Sequence, residues 1–432
     1  MYFLYNFIIH SAGFILKIVA VFNPKIKLFV DGRKSVFTSL SEKIKPSDKT
    51  IWFHAASLGE YEQGLPVIEE LKGKHPNHKI VVTFFSPSGF EVRKNNKIAD
   101  VTVYLPLDTK NNAKAFLKLV HPTMVFFIKY EYWPNYLNEL QKLEVPTYLI
   151  SGIFREDQLF FKWYGGFYRN ALKTFDYFFV QNESSKKLLQ SIGVQNVKVS
   201  GDTRFDRVSK ILNQNNAIEI IEQFKGDSSQ LEMTSKGGMT SKLGRTLTIV
   251  VGSSWPKDEN NLMDFINTNP YNVKFIIAPH NIKEEQITNL KNQISKKVIL
   301  HSEVDGTNLP LNEFDVMIVN SIGFLTKIYS YADIAYVGGG FGTAGLHNIL
   351  EPATFGIPVL IGPNFEKFSE AVALVHLGGC ISVKSKKELE ENLAFLIQNE
   401  DERTEKGHIA STFVKMNEGA TKTILNYLNA TE

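Results

Sequence analysis

A chain of 432 residues exceeds the ~300 residues at which a single hydrophobic core stops growing, so two domains are expected. Hydrophobic residues at 43% and charged residues at 22% exclude wholesale disorder, a collagen-like fibre and a multi-span membrane protein. One cysteine, Cys380, excludes a disulfide framework or a cysteine zinc cluster and points to a reducing compartment. The net charge of +3 is no signature of nucleic-acid binding, and no nucleic-acid partner is expected.

The charge is unevenly placed. Residues 1–50 hold eight Lys or Arg and three acids, which leaves them at +5 and the remaining 382 residues at −2. This basic block overlaps an apolar run at residues 1–22, broken only by Asn6, His10, Ser11 and Lys17. A bilayer core needs ~20 such residues, so 1–22 reads as a membrane anchor. The run is too long and interrupted for a good signal peptide, and no small-residue cleavage site follows it. The positive-inside rule puts the body on the cytoplasmic side, and anionic lipid attracts the lysines. Spanning the bilayer and lying in its interface both fit this composition, and the other reading is a first core helix of a soluble protein.

From residue 50 short apolar runs alternate with helical periodicity. IWFHA (51–55) reads as a strand and 61–74 as a helix. Further strands are read at 79–85, 124–130, 147–151, 177–180 and 197–200. Runs apolar on both faces and separated by helices predict parallel strands buried in a βαβ sheet. The same grammar returns at 247–252, 274–278, 316–320, 334–339 and 358–362. The fold class is therefore α/β, with two such domains in tandem: an N-terminal one at 23–210 and a C-terminal one at 211–432. Residues 226–245 are polar and rich in Gly, Ser and Lys, and read as a mobile surface loop. A last helix is expected at about 404–429, able to pack back on the N-terminal domain.

Ligands of open α/β sheets bind beyond the carboxyl ends of the strands. Polar or glycine-rich segments stand there in both halves: Ala56 to Glu60, Glu131 to Asn135, Gly201 to Asp206, Ser253 to Trp255, Pro279-His280, Ser321 to Gly323, and GGGFGTAGLHN at 338–348. Two such domains facing each other enclose a central cleft, an architecture shared by nucleotide-sugar transferases and other two-domain binders. The glycine stretch allows close backbone approach to a ligand and opens a helix whose amides can receive phosphate. It matches neither a P-loop nor a dinucleotide fingerprint. Glu351 falls in the first turn of that helix, where its carboxylate can hold ribose hydroxyls or simply complement the dipole.

The segments HAASLGE (54–60), YEYWPN (130–135), QNE (181–183), GDTRFD (201–206) and 338–368, in this order and spacing, resemble the Kdo (3-deoxy-D-manno-octulosonic acid) transferase family of lipopolysaccharide assembly. The resemblance also includes the N-terminal anchor and Gly32-Arg33-Lys34. It implies a GT-B fold and inverting transfer of Kdo from CMP-Kdo to the lipid A precursor, lipid IVA. It further implies no metal or other cofactor, and attachment to inner-membrane lipids on the cytoplasmic face. By motif, Glu60 matches the general base, and a sugar hydroxyl is a poor nucleophile until its proton is taken. Placed near a helix N-terminus, Glu60 is expected to be held in its charged form. Glu131 and Arg204 match residues that stabilise the transition state, a carboxylate for oxocarbenium charge and a guanidinium for phosphate or carboxylate.

For CMP-Kdo the matching positions are Pro279 and His280, Ile322, Gly323 and Phe324, and Asn348, Ile349, Leu350 and Glu351. Pro279 stands where the family often has Arg, Lys129 where it has an acid, and Phe324 where it has Glu. Other functions compatible with these residues are a GT-B transferase or epimerase using a UDP-sugar, and a non-catalytic glycolipid-binding protein. The aromatics Trp133-Pro134 and Trp163-Tyr164 can face acceptor acyl chains or serve as core packing, and the lysines from Lys17 to Lys49 can meet acceptor phosphates as well as lipid.

Overall fold

A computed structural model describes residues 1–226, 246–304 and 309–431. The loop read at 226–245 therefore lies, apart from Gly226, outside the described residues. The described chain divides into two compact units, the first comprising Met1–Arg207 with Asn417–Glu432 and the second Val208–Met416.

Among the described residues each unit carries one parallel seven-stranded sheet. The first unit contains β1 (Lys49–Ala55), β2 (His78–Phe84), β3 (Val101–Tyr104), β4 (Pro122–Ile128), β5 (Thr147–Gly152), β6 (Tyr177–Val180) and β7 (Val197–Val199), in the order β3-β2-β1-β4-β5-β6-β7. The second contains β8 (Leu247–Ser254), β9 (Val273–Pro279), β10 (Val298–Leu300), β11 (Val316–Ile318), β12 (Ile334–Val337), β13 (Val359–Ile361) and β14 (Cys380–Ser382), in the order β10-β11-β9-β8-β12-β13-β14. Sequence periodicity found eleven of these strands and missed β3, β10 and β14. These three span four, three and three residues.

The parallel arrangement explains the two-sided apolar runs. Along β1, Ile51, Phe53 and Ala55 enter one core layer with Phe126, Ile68 and Leu71. Trp52, between them, enters the opposite layer with Phe127, Phe116 and Tyr136. Successive side chains of a strand point to opposite faces, and helices cover both. The second sheet repeats the construction around Val251, Phe275, Ile318 and Tyr336.

The expected final helix at 404–429 is two helices, Glu400–Met416 and Ala420–Thr431. Gly419, at φ +107°, breaks them with a backbone that other residues rarely adopt. Ile424 and Leu428 of the second helix pack into the core layer of the first unit. Asp206 caps it, accepting from the Gly419 amide at 2.6 Å and the Thr421 amide at 2.7 Å.

The N-terminal helix, Tyr2–Val19, is long and apolar enough to cross a bilayer. Beyond it the basic segment is latched by Arg33. This guanidinium is half-buried and donates to the carbonyls of Leu105, Phe29 and Phe85 at 2.7–2.9 Å. It also lies 3.5 Å from the Phe29 ring centroid. Arg33 is thus a structural cation, with Nε, Nη1 and Nη2 each donating to a backbone carbonyl. A Cβ on Gly32 would stand 2.2 Å from Cε2 of the buried Tyr104. Gly32→Ala is expected to destabilise the first unit by about 1–3 kcal/mol through overpacking, read as a lowered urea midpoint of the full chain.

Candidate active site

The first cluster forms at the carboxyl ends of β1 and β4. The helix Leu58–Lys74 follows β1 directly, and Glu60 is its third residue. This helix lies close on β4 because Gly64 has no side chain. A Cβ there would come within 2.3 Å of Ile128 Cδ1. Glu60 turns back and accepts from the backbone amides of Ala56 at 2.5 Å and Ser57 at 3.2 Å. These bonds favour the carboxylate, as expected from its place at a helix start. They are outweighed. Only 8% of Glu60 is exposed, and burial followed by the charge of Glu131 raises its pKa from 4.5 to about 7. The nearby Lys129 acts with the amides to limit the rise. The expectation of a fully charged Glu60 is therefore corrected to a group poised near neutrality.

Glu131 is held by a chain of polar groups that begins in the core. Trp52 Nε1–H donates to Thr83 Oγ1 at 2.8 Å, and Thr83 lies 2.8 Å from His54 Nδ1. His54 Nε2 lies 3.0 Å from Glu131 Oε2, which also accepts from Trp133 Nε1–H at 2.7 Å. An indole only donates, so Thr83 Oγ1 accepts from Trp52, and Trp133 Nε1 also lies 2.9 Å from His54 Nε2. His54 is wholly buried, and the chain holds Glu131 in one orientation. Sequence reading chose Glu131 and missed His54, Thr83 and Trp52. Their signal was a His and a Thr on neighbouring strands, invisible until β1 pairs β2 in register.

Arg204 lies in the same unit. Its backbone amide and guanidinium both bond Asp202, with Nη2 at 2.7 Å and Nε at 2.9 Å from Oδ2. Gln63, one turn along from Glu60, donates to the same carboxylate at 3.3 Å. Tyr130 feels the charges of Arg155, Glu60, Arg204 and Asp202, which places it among them, and its hydroxyl accepts from Arg155 Nη2 at 3.2 Å. Tyr130 and Arg155 were not singled out in the sequence. Lys129 has φ +69° just past the end of β4 and stands 5.0 Å from the Tyr130 ring centroid. The structure thus brings Glu60, Glu131 and Arg204 to one edge of one sheet.

The positions expected to meet CMP-Kdo lie in the second unit, past the carboxyl ends of β8, β9, β11 and β12. β8 lies between β9 and β12, at the point where strand order reverses. His280 stacks on Trp255 with ring centroids 4.4 Å apart, and His347 lies 4.5 Å from His280. Trp255 Nε1–H donates to His347 Nε2 at 3.3 Å, so His347 accepts there. Burial, with His280 beside it, lowers the pKa of His347 to about 4, and burial also lowers that of His280. Pro279 adjoins this cluster at the end of β9.

Asn348 and Glu351 join a second group. Glu351 accepts from Thr326 Oγ1 at 2.9 Å and from Asn348 Nδ2 at 3.3 Å, and Asn348 Oδ1 accepts from the Leu350 amide at 3.1 Å. Ile349 and Leu350 are buried. Ile322 is 83% exposed, Gly323 holds φ +95°, and Phe324 packs against His301 at 4.9 Å.

Three glycines of the stretch pack against the chain itself. A Cβ on Gly338 would meet Ser253 O at 2.4 Å, one on Gly339 would meet Gly345 O at 2.1 Å, and one on Gly340 would meet the Gly362 amide at 2.7 Å. The glycines let backbone pass backbone. The helix that follows, Leu350–Thr354, has only five residues and is a weak phosphate acceptor. Buried Asp258, another residue that sequence reading missed, fixes this turn by accepting from the amides of Gly339 and Trp255 at 2.9 Å and from Tyr336 Oη at 2.7 Å.

Solved structures with this fold include UDP-GlcNAc 2-epimerase from Neisseria meningitidis and MurG from Acinetobacter baumannii. The first is 17% identical with a TM-score of 0.58, covering 88% of this chain and 100% of that one. The second is 11% identical with a TM-score of 0.52, covering 89% and 99%. The two Rossmann-like units define an α/β protein of GT-B class.

The profile of the family described as 3-deoxy-D-manno-octulosonic-acid transferase (kdotransferase) matches residues 32–207. A 3-deoxy-D-manno-octulosonic acid transferase of Chlamydophila psittaci is 28% identical over 393 residues, 88% of this chain and 86% of that protein. That of Aquifex aeolicus is 26% identical over 82% of this chain and 88% of its own length. The chain is a homologue of the Kdo transferases over most of its length and, with them, a glycosyltransferase.

The raised pKa of Glu60 is also a statement about stability. An acid whose folded pKa lies above its unfolded one favours the fold below the unfolded pKa, and that advantage fades as pH climbs through the folded pKa. Glu60→Gln keeps an acceptor for the two amides and removes the titration. Its stability relative to wild type is expected to rise between pH 4.5 and about 7 and then level off, by on the order of 1 kcal/mol or more. Urea titrations at a series of pH values read this, and a difference constant across the window would contradict the assignment.

Proposed function

We propose that the protein transfers Kdo from CMP-Kdo to the lipid A precursor, lipid IVA, with inversion at the anomeric carbon, in lipopolysaccharide core biosynthesis. The observation that carries this reading is the buried pair of Glu60 and Glu131 at the carboxyl edge of the first sheet, in a homologue of Kdo transferases.

In this reading Glu60 is the general base. Its carboxylate takes the proton of the acceptor hydroxyl as that oxygen bonds the anomeric carbon, while the bond from that carbon to the phosphate oxygen breaks and CMP departs. A base works best with a pKa near the operating pH, and about 7 satisfies that condition. Glu131, oriented by His54 and Trp133, stabilises positive charge on the sugar as the leaving group departs. Arg204, aligned by Asp202, binds phosphate or the Kdo carboxylate. Positions 279–280, 322–324 and 348–351 hold CMP. His280 and His347, with lowered pKa values, serve there by stacking and hydrogen bonding rather than as counter-cations. In this reading neutralisation of the leaving phosphate rests on Arg204, with no metal ion required.

The N-terminal helix and the basic segment behind it support attachment to the inner membrane on its cytoplasmic face, where a lipid acceptor lies.

The test is transfer in vitro with CMP-Kdo and a tetraacylated lipid A precursor, with product counted by mass spectrometry and UDP-sugars as controls. Wild type is expected to form product and release CMP from CMP-Kdo alone. Glu60→Gln is expected to lose about 10²–10⁴-fold in rate while still binding CMP. The wild-type rate is expected to rise with pH through about 7 and then flatten, because the base must be ionised. No product with CMP-Kdo, or turnover of a UDP-sugar, overturns the reading.

A further inference from the structure

We propose that the N-terminal helix does not cross the bilayer but lies in its interface, docked along the first unit by one face and presenting the other face to lipid beside the Trp163–Tyr164 loop. This inference rests on the proposed membrane attachment and fixes its geometry.

The helix is bound to the body over most of its length. Tyr2 and Tyr5 pack on Phe167 with ring centroids 4.8 Å and 5.5 Å apart. Tyr5 Oη–H donates to Asp108 Oδ2 at 2.7 Å, and Asn135 Nδ2 donates to Asn6 Oδ1 at 3.1 Å. Buried Gly13 lies so close that a Cβ would be 2.9 Å from Leu107 Cδ1. From Tyr2 to Gly13 the axis advances about 16 Å of the helix's ~27 Å. A transmembrane orientation would drag Asp108, Asn135 and the strand ends around them into hydrocarbon, where buried polar groups are costly. The six residues after Gly13 rise only ~9 Å, far short of the ~30 Å core.

Opposite the docked face runs an apolar strip. Phe3, Phe7, Phe14 and Ile18 are 86%, 61%, 66% and 50% exposed, and their spacings of four, seven and four align them on one side of the helix. A spanning helix standing free would be apolar all round, whereas this one divides into a face that meets protein and a face that meets none. Trp163, 91% exposed, and Tyr164, 55% exposed, stand three to four residues before Phe167, the ring on which the first turn rests. Trp and Tyr suit the headgroup level of a membrane. Lys17 on the helix and Lys25 and Lys27 just beyond it supply positive charge for anionic headgroups. Lipid is the occupant that matches both the apolar strip and this charge.

The test uses the full chain on vesicles of phosphatidylethanolamine and phosphatidylglycerol. In a Cys380→Ser background, single cysteines replacing Phe3, Phe7, Phe14 and Ile18 carry nitroxide labels, and depth is read from oxygen against aqueous nickel-chelate relaxation. All four labels are expected at one shallow depth, roughly 5–10 Å below the headgroups. Depth that changes steadily along the helix by about 1.5 Å per residue, through a mid-bilayer maximum, overturns the proposal and leaves membrane attachment standing. Chains that remain off the vesicles, or labels shielded in a second copy, overturn both. Because Cys380 is buried, a second measurement uses the native cysteine. Quenching of fluorescence by shallow-brominated lipid is expected in the wild type and is expected to fall in Trp163→Phe, and equal quenching in both would contradict the coplanar loop.

Discussion

A carboxylate kept from water beside a second carboxylate is the constraint that organises the first unit. Glu60 receives two backbone amides at the start of its helix, and these alone would hold it ionised. Burial and the charge of Glu131 act against them and prevail, leaving the group poised near neutrality. Such a balance is sensitive to position. It depends on a helix that lies flat on β4 through Gly64, and on a partner acid that cannot swing away.

Rigidity comes from polar groups built into otherwise apolar layers. Trp52, Thr83 and His54 are fully buried, each bonded to the next, and together they fix Glu131 from behind. A half-satisfied set of this kind would cost stability, which is why every member of the chain has a partner. Asp258 performs the same service in the second unit, tying the end of β8 to the glycine turn after β12. There three of the glycines pack against the chain itself. They relieve contacts between backbones, and the short helix behind them is a poor anion site. In the second unit aromatic and imidazole surfaces gather at the end of β9, where the expected CMP-Kdo positions Pro279 and His280 stand.

The N-terminal segment shows how composition and structure answer different questions. Length and hydropathy of residues 2–19 suit a membrane span. The tyrosine, asparagine and glycine within it are spaced to meet Phe167, Asp108, Asn135 and Leu107, and that division of faces becomes visible only when the helix is seen against its neighbours.

Much of the molecule was legible in the order of residues. Two-sided apolar runs announced buried parallel strands, because the period of a strand and the need to cover both faces are local properties. Motif order pointed to Glu60, Glu131 and Arg204, since residues at strand ends collect where the sheet's loops collect. The strands β3, β10 and β14 went unread, and the break at Gly419 was hidden inside a helical pattern. The relay behind Glu131, the partnership of Tyr130 with Arg155, and the sign of the shift on Glu60 required the folded chain. Each depends on distances between residues far apart in sequence and on the loss of water around them, and neither quantity is written in a linear pattern. The sequence by itself determined the class of fold and the chemical types at its strand ends. Tertiary structure decided which of those groups are buried, paired and poised, because electrostatic energy depends on separation and solvation rather than on order along the chain.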